Sequence, residues 1–511
     1  MSNYIIGIGG TGAKSIEAII QLTSIGLFGE QSLKLLFVDT DETNGNVNRA
    51  LKSLDIYNKC YKLGLQGKHP WMKTAIESFS RPWSPFDDID NVANKNLAVI
   101  FKYNLIKQNE PALGNLFDVL YTSKEREASL DVGFRGRPNI GAAVMSQVIS
   151  QVKMDTNDND FWGNLMRQIQ QDAGGGKRPK IFLCGSIFGG TGASGLPTIG
   201  RLIHSELETL GIREKVDLGC LFVLPYFSFT PEENGEEVYA RSEQFLLNTE
   251  AALRYYGSRP QEFDVVYLLG NQQLSPVKKF SIGRNTQCND PHFIELYAAL
   301  AGREFLLTPP AAEKKVVLMN RENQGTLTWK DIPDIDIPDM QNVKAEMVKA
   351  TRFAFAWLSN IAPELKKARD LGEKKFRIRV GTSWFVKFFP APKGISGGGN
   401  RLGVDFNDAE QQEAMEKITD WCEDYLRWLE HIHESSGENI QLFHKEYIKN
   451  LKDDNLANLI FEQGDNRGQD KKSQDTIQKL KESLKPKDID PPKLGTIGLA
   501  KSLYHVCRLT D

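Results

Sequence analysis

The sequence contains no cysteine pair. Its six cysteines, Cys60, Cys184, Cys220, Cys288, Cys422 and Cys507, are scattered, and no two stand at CxxC spacing. Isolated thiols exclude a disulfide framework and a zinc ligand set, and they point to a reducing compartment. The seven histidines are equally dispersed. His431 and His433 share a predicted helix, but at i,i+2 they face different sides of it, so no metal site is expected. No apolar stretch reaches about 18 residues, so no membrane-spanning helix is expected. Met1-Ser2-Asn3 leads straight into a strand-like run, with neither a charged nor an apolar leader segment. A cytoplasmic protein without a signal peptide is therefore expected. Neither sign of charge dominates: the net charge of -3 leaves no basic footprint for nucleic acid or an anionic membrane. Two catalytic signatures are missing as well, the Gly-x-Ser-x-Gly elbow and His-Glu-x-x-His.

What is present is a chain of 511 residues, 40% hydrophobic and 25% charged, long enough for two or three domains. Apolar runs at Tyr4–Ile8, Leu33–Asp39, Lys180–Cys184, Val216–Pro225 and Phe263–Leu269 read as strands. Between and after them, Ala13–Leu27, Leu196–Leu210, Glu236–Tyr256 and Asp290–Leu307 carry apolar residues at helical spacing. This alternation predicts an α/β fold with a doubly wound parallel sheet over residues 1–310. After Pro309-Pro310 the pattern changes. Val316–Met319 and Phe376–Phe389 read as strands, Asn342–Asn360 as a helix, and Gly394–Gly399 as a loop. That grouping predicts a smaller α+β domain over 311–400. A charged helical C-terminal extension follows over 401–511, with Gln463–Lys487 polar enough for a linker or an exposed helix. Trp421, Tyr425 and Trp428 fall at i, i+4 and i+7, a stripe that reads as core.

One local pattern occurs twice. Gly9-Gly10-Thr11-Gly12-Ala13 and Gly189-Gly190-Thr191-Gly192-Ala193 each follow a buried-type strand and open a helix. A helix N-terminus has unpaired N–H groups and a partial positive charge. Glycine lets the backbone approach an anion closely, so each turn forms a phosphate cradle. Two cradles at neighbouring strand ends predict one nucleotide gripped from both sides. Taken alone, Gly7-Ile8-Gly9-Gly10-Thr11-Gly12 is a GxGxxG, with Asp39 placed to take a ribose hydroxyl. A Rossmann dinucleotide oxidoreductase therefore stays open as an alternative. The P-loop match fails because Ala13 separates Gly12 from Lys14.

The second turn, Gly189-Gly190-Thr191-Gly192-Ala193-Ser194-Gly195, resembles the signature box of the tubulin/FtsZ superfamily. The resemblance continues in order along the first 310 residues. Gly9, Gly10, Thr11 and Gly12 resemble the family's first nucleotide loop. Phe37-Val38-Asp39-Thr40-Asp41 resembles the second, with Asp39 and Asp41 near the phosphates or their Mg2+. Gly136-Arg137-Pro138-Asn139-Ile140-Gly141 resembles the third, which implies γ-phosphate sensing by Arg137 and Asn139. Leu224-Pro225-Tyr226 resembles the fifth. Glu237 and Arg241 match a Glu-x-x-x-Arg pair that contacts ribose and base. Asn289 is similar to the asparagine opening the central helix, with Asn271 a rival and a plain helix cap the other reading of Asn289. The resemblance is to a divergent bacterial tubulin-like protein. It implies a tubulin/FtsZ-like Rossmann-type sheet with a central helix, GTP/GDP and Mg2+ as ligands, self-association into filaments and a GTPase completed at a subunit interface.

Two departures stand out. Lys14 occupies the place of a base-contacting asparagine, which opens guanine preference to question and leaves the lysine to bind phosphate or face solvent. The family's Asn-x-Asp-x-x-Asp/Glu catalytic loop is missing. Asp331 and Asp334 have the i,i+3 spacing of its acids and are the catalytic candidates. A plain acidic turn is the other reading, and Glu295 is a weaker candidate. Without a catalytic acid, the alternative is a non-polymerising nucleotide-regulated adaptor, with a protein partner at the C-terminal extension.

Overall fold

The computed structural model describes residues 2–41, 43–66, 71–79, 81–87, 95–130, 133–134, 136–151, 161–228, 242–258, 262–277, 288–319, 325–336, 341–380, 383–390, 403–450, 455–461 and 475–508. Strand β1 (Ser2–Ile8) runs directly into helix α1 (Gly9–Ser24), followed by β2 (Ser32–Val38), α2 (Gly45–Tyr61) and β3 (Ile76–Ser78). A hairpin of two short helices, α3 (Tyr103–Asn109) and α4 (Pro111–Leu120), precedes α5 (Pro138–Gln151) and α6 (Phe161–Gly174). The second strand–glycine–helix unit is β4 (Lys180–Ser186) and α7 (Gly190–Thr209). Then come β5 (Asp217–Val223), α8 (Ser242–Gly257), β6 (Val265–Leu269), α9 (Phe293–Leu307) and β7 (Lys315–Met319). Helices α10 (Val343–Ala356), α11 (Ala409–His433) and α12 (Gly495–Val506) dominate the remainder.

The main sheet is seven-stranded, ordered β3-β2-β1-β4-β5-β6-β7, with every pairing parallel. Burial explains the order. All seven residues of β1, β4 and β5 are buried, as continuously apolar central strands require. β7 is largely exposed and takes an edge. The strand order reverses between β1 and β4, and in open parallel sheets ligands bind at the carboxyl ends of the strands at such a point. Both glycine turns lie there.

The sheet continues past residue 310, because β7 is hydrogen-bonded to β6 from Lys315 to Met319. Over the described residues of 341–390 the chain is helical. Phe376–Phe389, expected as strands, forms helices Glu373–Val380 and Ser383–Phe388. Its aromatics pack at helical spacing, Phe385 stacking on Phe389 with centroids 4.8 Å apart. The segment 311–400 therefore contributes no separate α+β sheet among the described residues; its strand belongs to the main one.

The C-terminal helices share the core on the α1 side of the sheet. Trp71 stacks on Tyr504 of α12 (4.6 Å, 4°) and lies 5.5 Å from Trp421 of α11. Aromatic pairs of this kind add about 0.5–1.5 kcal/mol each beyond burial. Trp421, Tyr425 and Trp428 are all buried, the core role their spacing indicates. Charge reinforces the join: Glu17 of α1, fully buried, accepts from Arg49 of α2 and Arg427 of α11, both at 2.7 Å. Gln21 of α1 donates to Asp424 of α11 at 2.6 Å.

Candidate functional site

The two glycine turns share one packing device and meet. The last glycine of each lets its helix rest on a strand. A Cβ on Gly12 would lie 2.6 Å from the Cys184 carbonyl oxygen, and one on Gly192 would fall onto the Ser186 carbonyl. Gly9 has φ +72°, a left-handed conformation that glycine adopts without strain. A Cβ there would stand 3.3 Å from Cβ of Thr191 and 3.4 Å from the Gly192 nitrogen. The loops of β1 and β4 therefore touch.

Two further segments close on the same point. Thr40 Oγ1 lies 3.3 Å from Thr191 Oγ1. A Cβ on Gly190 would be 3.2 Å from the Gly136 nitrogen. Asn248 of α8 donates to the carbonyls of Gly136 (3.2 Å) and Phe188 (3.0 Å), tying the third loop to the fourth. The N-termini of α1, α2, α5 and α7 thus border one locus. Each contributes the partial positive charge of a helix N-terminus, which suits a polyanion.

Asp39 and Asp41 flank this locus, and both are buried. Asp39 accepts from the Asp41 N–H (3.1 Å) and the Asn44 side chain (3.1 Å). Burial nevertheless pushes its pKa up to about 7. Asp41 accepts from Thr43 N–H (3.0 Å) and hydroxyl (2.8 Å). No group of three or more His, Cys, Asp or Glu side chains suited to a metal occurs among the described residues.

Lys14 does not face solvent. It is buried against Glu295 of α9 (2.5 Å) and Tyr226 (3.4 Å). Tyr226 also donates to Glu295 at 3.1 Å. Burial raises the Glu295 pKa, opposed by the Lys14 charge. Glu295 accepts from the His292 N–H at 2.9 Å and completes the cap of α9, which is a structural role.

Asn289 does not open the central helix, which is capped by His292 three residues later. Its backbone is clamped by α2 instead. The Asn289 N–H donates to Asn46 Oδ1 (3.0 Å), and its carbonyl accepts from Arg49 (2.6 Å). Asn271 donates to Glu438 (2.7 Å) and to the Gln273 carbonyl (2.8 Å). Arg137 pairs with Glu125, and Asn139 is exposed. Glu237 and Arg241 lie outside the described residues, as does Gly394–Gly399.

Asp334 lies away from the glycine turns, whereas the Asp331 carbonyl accepts from Tyr297 in the first half of α9. Arg303, near the end of α9, pairs with Asp334 (2.7 Å) and donates to the Leu27 carbonyl (2.9 Å) just beyond the far end of α1. A helix of α1's 16 residues spans about 24 Å. Asp331 caps its own turn, accepting from Thr328 N–H (2.7 Å) and hydroxyl (2.9 Å). Asp334 also accepts from the Val343 N–H at 2.7 Å.

Sequence reasoning missed Asn44, Asn46, Arg49 and Asn248. Asn44-Gly45-Asn46 did carry a readable signal, a cap residue and glycine just after the acidic cluster. Asn44 is the N-cap of α2, accepting from the Asn46 N–H at 2.9 Å.

Comparison of the chain with family models, with curated proteins and with solved structures found no match in any of the three. The class rests on the fold and the site: an α/β protein with a Rossmann-like parallel sheet and two glycine cradles joined at its switch point. No helix among the described residues is long and apolar enough to cross a membrane.

Proposed function

We propose that the protein binds one nucleoside triphosphate, GTP with Mg2+, in the tubulin/FtsZ manner and assembles with further copies into nucleotide-dependent filaments. The supporting observation is the convergence of Gly9 on Thr191 and Gly192. Two phosphate cradles this close serve a single ligand, because two polyphosphates could not share the space. In this reading the backbone amides of both turns hold the phosphates. Arg137 and Thr40 border the terminal phosphate, and Asp39 and Asp41 face its cation. The unused side-chain amide of Asn289 is available to the base.

Hydrolysis on this reading is completed between subunits. Asp334, through Arg303, lies near the far end of α1, the side a head-to-tail neighbour would present to the triphosphate, and the Asp331 carbonyl accepts from Tyr297 of α9. Both carboxylates are already engaged, by Thr328 and by Arg303. That engagement favours slow turnover and a long-lived bound state. It also supports the second reading, a non-polymerising nucleotide-regulated switch. The Glu17–Arg427 pair would carry the state of α1 to α11 and to a protein partner at the C-terminal region. A dinucleotide oxidoreductase leaves the second cradle without a role.

The test is the nucleotide that co-purifies with the protein, released by denaturation and identified by chromatography. GTP or GDP at near one per chain is expected. A nicotinamide dinucleotide, or an empty protein that also fails to take up added GTP, would reject the reading.

A further inference from the structure

Helix α2 holds an unused hydrogen-bond donor against the first glycine turn. Asn46, the second residue of the helix, is only 2% exposed. A polar side chain buried this deeply ordinarily has its groups paired. Here the acceptor alone is paired. Asn46 Oδ1 takes the Asn289 N–H at 3.0 Å, which fixes how the amide is turned. The backbone N–H of Asn46 donates to Asn44 Oδ1 at 2.9 Å. Among the described residues Nδ2 donates to none. It stands over the turn, because a Cβ on Gly10 would lie 3.1 Å from it. Gly10 is itself only half-buried.

A second unused donor follows one turn along. Arg49 Nη2 is buried without an acceptor among the described residues. The rest of that guanidinium is engaged, Nε by Glu17 (2.7 Å) and Nη1 by the Asn289 carbonyl (2.6 Å). Residues 46 and 49 are i,i+3 neighbours on one helix face. An enclosed donor left without an acceptor destabilises the folded chain. Such a donor beside a phosphate cradle calls for an acceptor brought by a ligand.

We infer that Asn46 Nδ2 donates to an oxygen of the bound nucleotide where its sugar meets its phosphates. The position selects that part of the ligand. Asn46 approaches Gly10, of the first cradle, with Nδ2 and holds Asn289, the residue left for the base, with Oδ1. In a nucleotide, the ribose and its first phosphate join the terminal phosphates to the base. The acceptor is a ribose hydroxyl or an oxygen of that phosphate. The assignment rests on the nucleotide reading above and adds to it a residue that sets specificity. It also couples the ligand to the fold. An oxygen held on Nδ2 keeps the amide turned so that Oδ1 receives the Asn289 N–H, and occupancy of the cradle then steadies the entry to α9.

The experiment is titration calorimetry on the full-length, nucleotide-free protein as wild type, Asn46→Ala and Asn46→Leu. Leucine nearly matches asparagine in shape, so it serves if the space left by alanine impairs folding, with far-UV circular dichroism and thermal midpoint as the check. The ligands are GTP, 2′-deoxy-GTP, 3′-deoxy-GTP and inorganic tripolyphosphate, each with Mg2+. Both variants are expected to bind GTP about 5–100-fold more weakly, the range for losing one hydrogen bond to a neutral or a charged acceptor. With a ribose hydroxyl as acceptor, wild type should prefer GTP over one deoxy analogue by about 5–10-fold, and the variants should lose that preference. With a phosphate oxygen as acceptor, wild type should bind all three nucleotides alike, and the variants should weaken tripolyphosphate by the same factor as GTP. Undiminished GTP affinity in either folded variant would overturn the inference and leave the nucleotide reading standing. So would a sugar preference that persists in the variants, or a loss shared by the three nucleotides and not by tripolyphosphate, which is what a loosened Asn289 alone produces. Wild type that takes up none of the four ligands would overturn both.

Discussion

Replacing Asp39 with asparagine isolates the charge held beside the glycine turns. In the folded protein burial raises this carboxyl from its ordinary 3.8 to about 7. Between those values the folded state keeps a proton that the unfolded chain has released. Stability therefore falls as the pH rises from about 4 to about 7 and is level above that. At ~1.4 kcal/mol per tenfold, the full penalty at pH 8 is about 4 kcal/mol. Asparagine removes the charge and keeps one oxygen for the Asp41 N–H. It loses the bond accepted from Asn44, worth about 1 kcal/mol. The nucleotide-free variant should then be about 3 kcal/mol more stable than wild type at pH 8 and show little gain at pH 4. The same variant should bind nucleotide and Mg2+ less tightly, the exchange of stability for function expected of a charge kept for a ligand. Urea unfolding at the two pH values, with nucleotide removed, measures the difference. No gain at pH 8, or an equal gain at both values, would refute the argument.

Three other outcomes follow from the same geometry. Lys14→Ala leaves Glu295 buried without its partner and should cost about 3–5 kcal/mol, read by urea unfolding, and Lys14→Met with Glu295→Gln should recover much of it. Gly192→Ala drives a Cβ into the Ser186 carbonyl and should cost about 1–3 kcal/mol, whereas Gly189→Ala meets only the movable Ser186 hydroxyl at 3.1 Å and should cost little, as thermal midpoints would register. His433 accepts the Phe443 N–H at Nε2 (3.0 Å) and donates from Nδ1 to the Leu429 carbonyl (2.8 Å), so it is held neutral, its pKa lowered by burial to about 4. Stability should fall as the pH drops from 6.5 toward 4, because the unfolded chain takes up the proton first; the ring nitrogen shifts should still report neutral imidazole at about pH 5.5.

Much of the sheet and of the two glycine turns was legible in the sequence because it is written in local signals. Strands β1, β4 and β5 are continuous apolar runs, and each glycine turn announces the start of a helix. The place of β7 was not legible, since Val316–Met319 reads the same in an added domain as on a sheet edge. Phe376–Phe389 has enough aromatics to suggest strands, and only the Phe385–Phe389 stack shows the helical period. Lys14 read as a surface or phosphate-binding residue because its burial depends on Glu295, 281 positions away, which no local pattern announces. The clamp on Asn289 is hidden for the same reason: Asn46 and Arg49 look like ordinary polar helix residues until α2 is set against the entry to α9. The C-terminal helices read as an appended extension because their partners, Trp71 and Glu17, belong to the opposite end of the chain.

Titration calorimetry of the nucleotide-free protein with GTP and Mg2+ tests the shared grip most directly, comparing wild type with Gly9→Ala and Gly190→Ala. A Cβ at position 9 presses on Thr191, and one at 190 would lie 2.8 Å from Cβ of Phe134. The account predicts one binding site per chain in wild type and its loss when either turn alone is altered. Two independent sites, or full affinity retained in either variant, would contradict it.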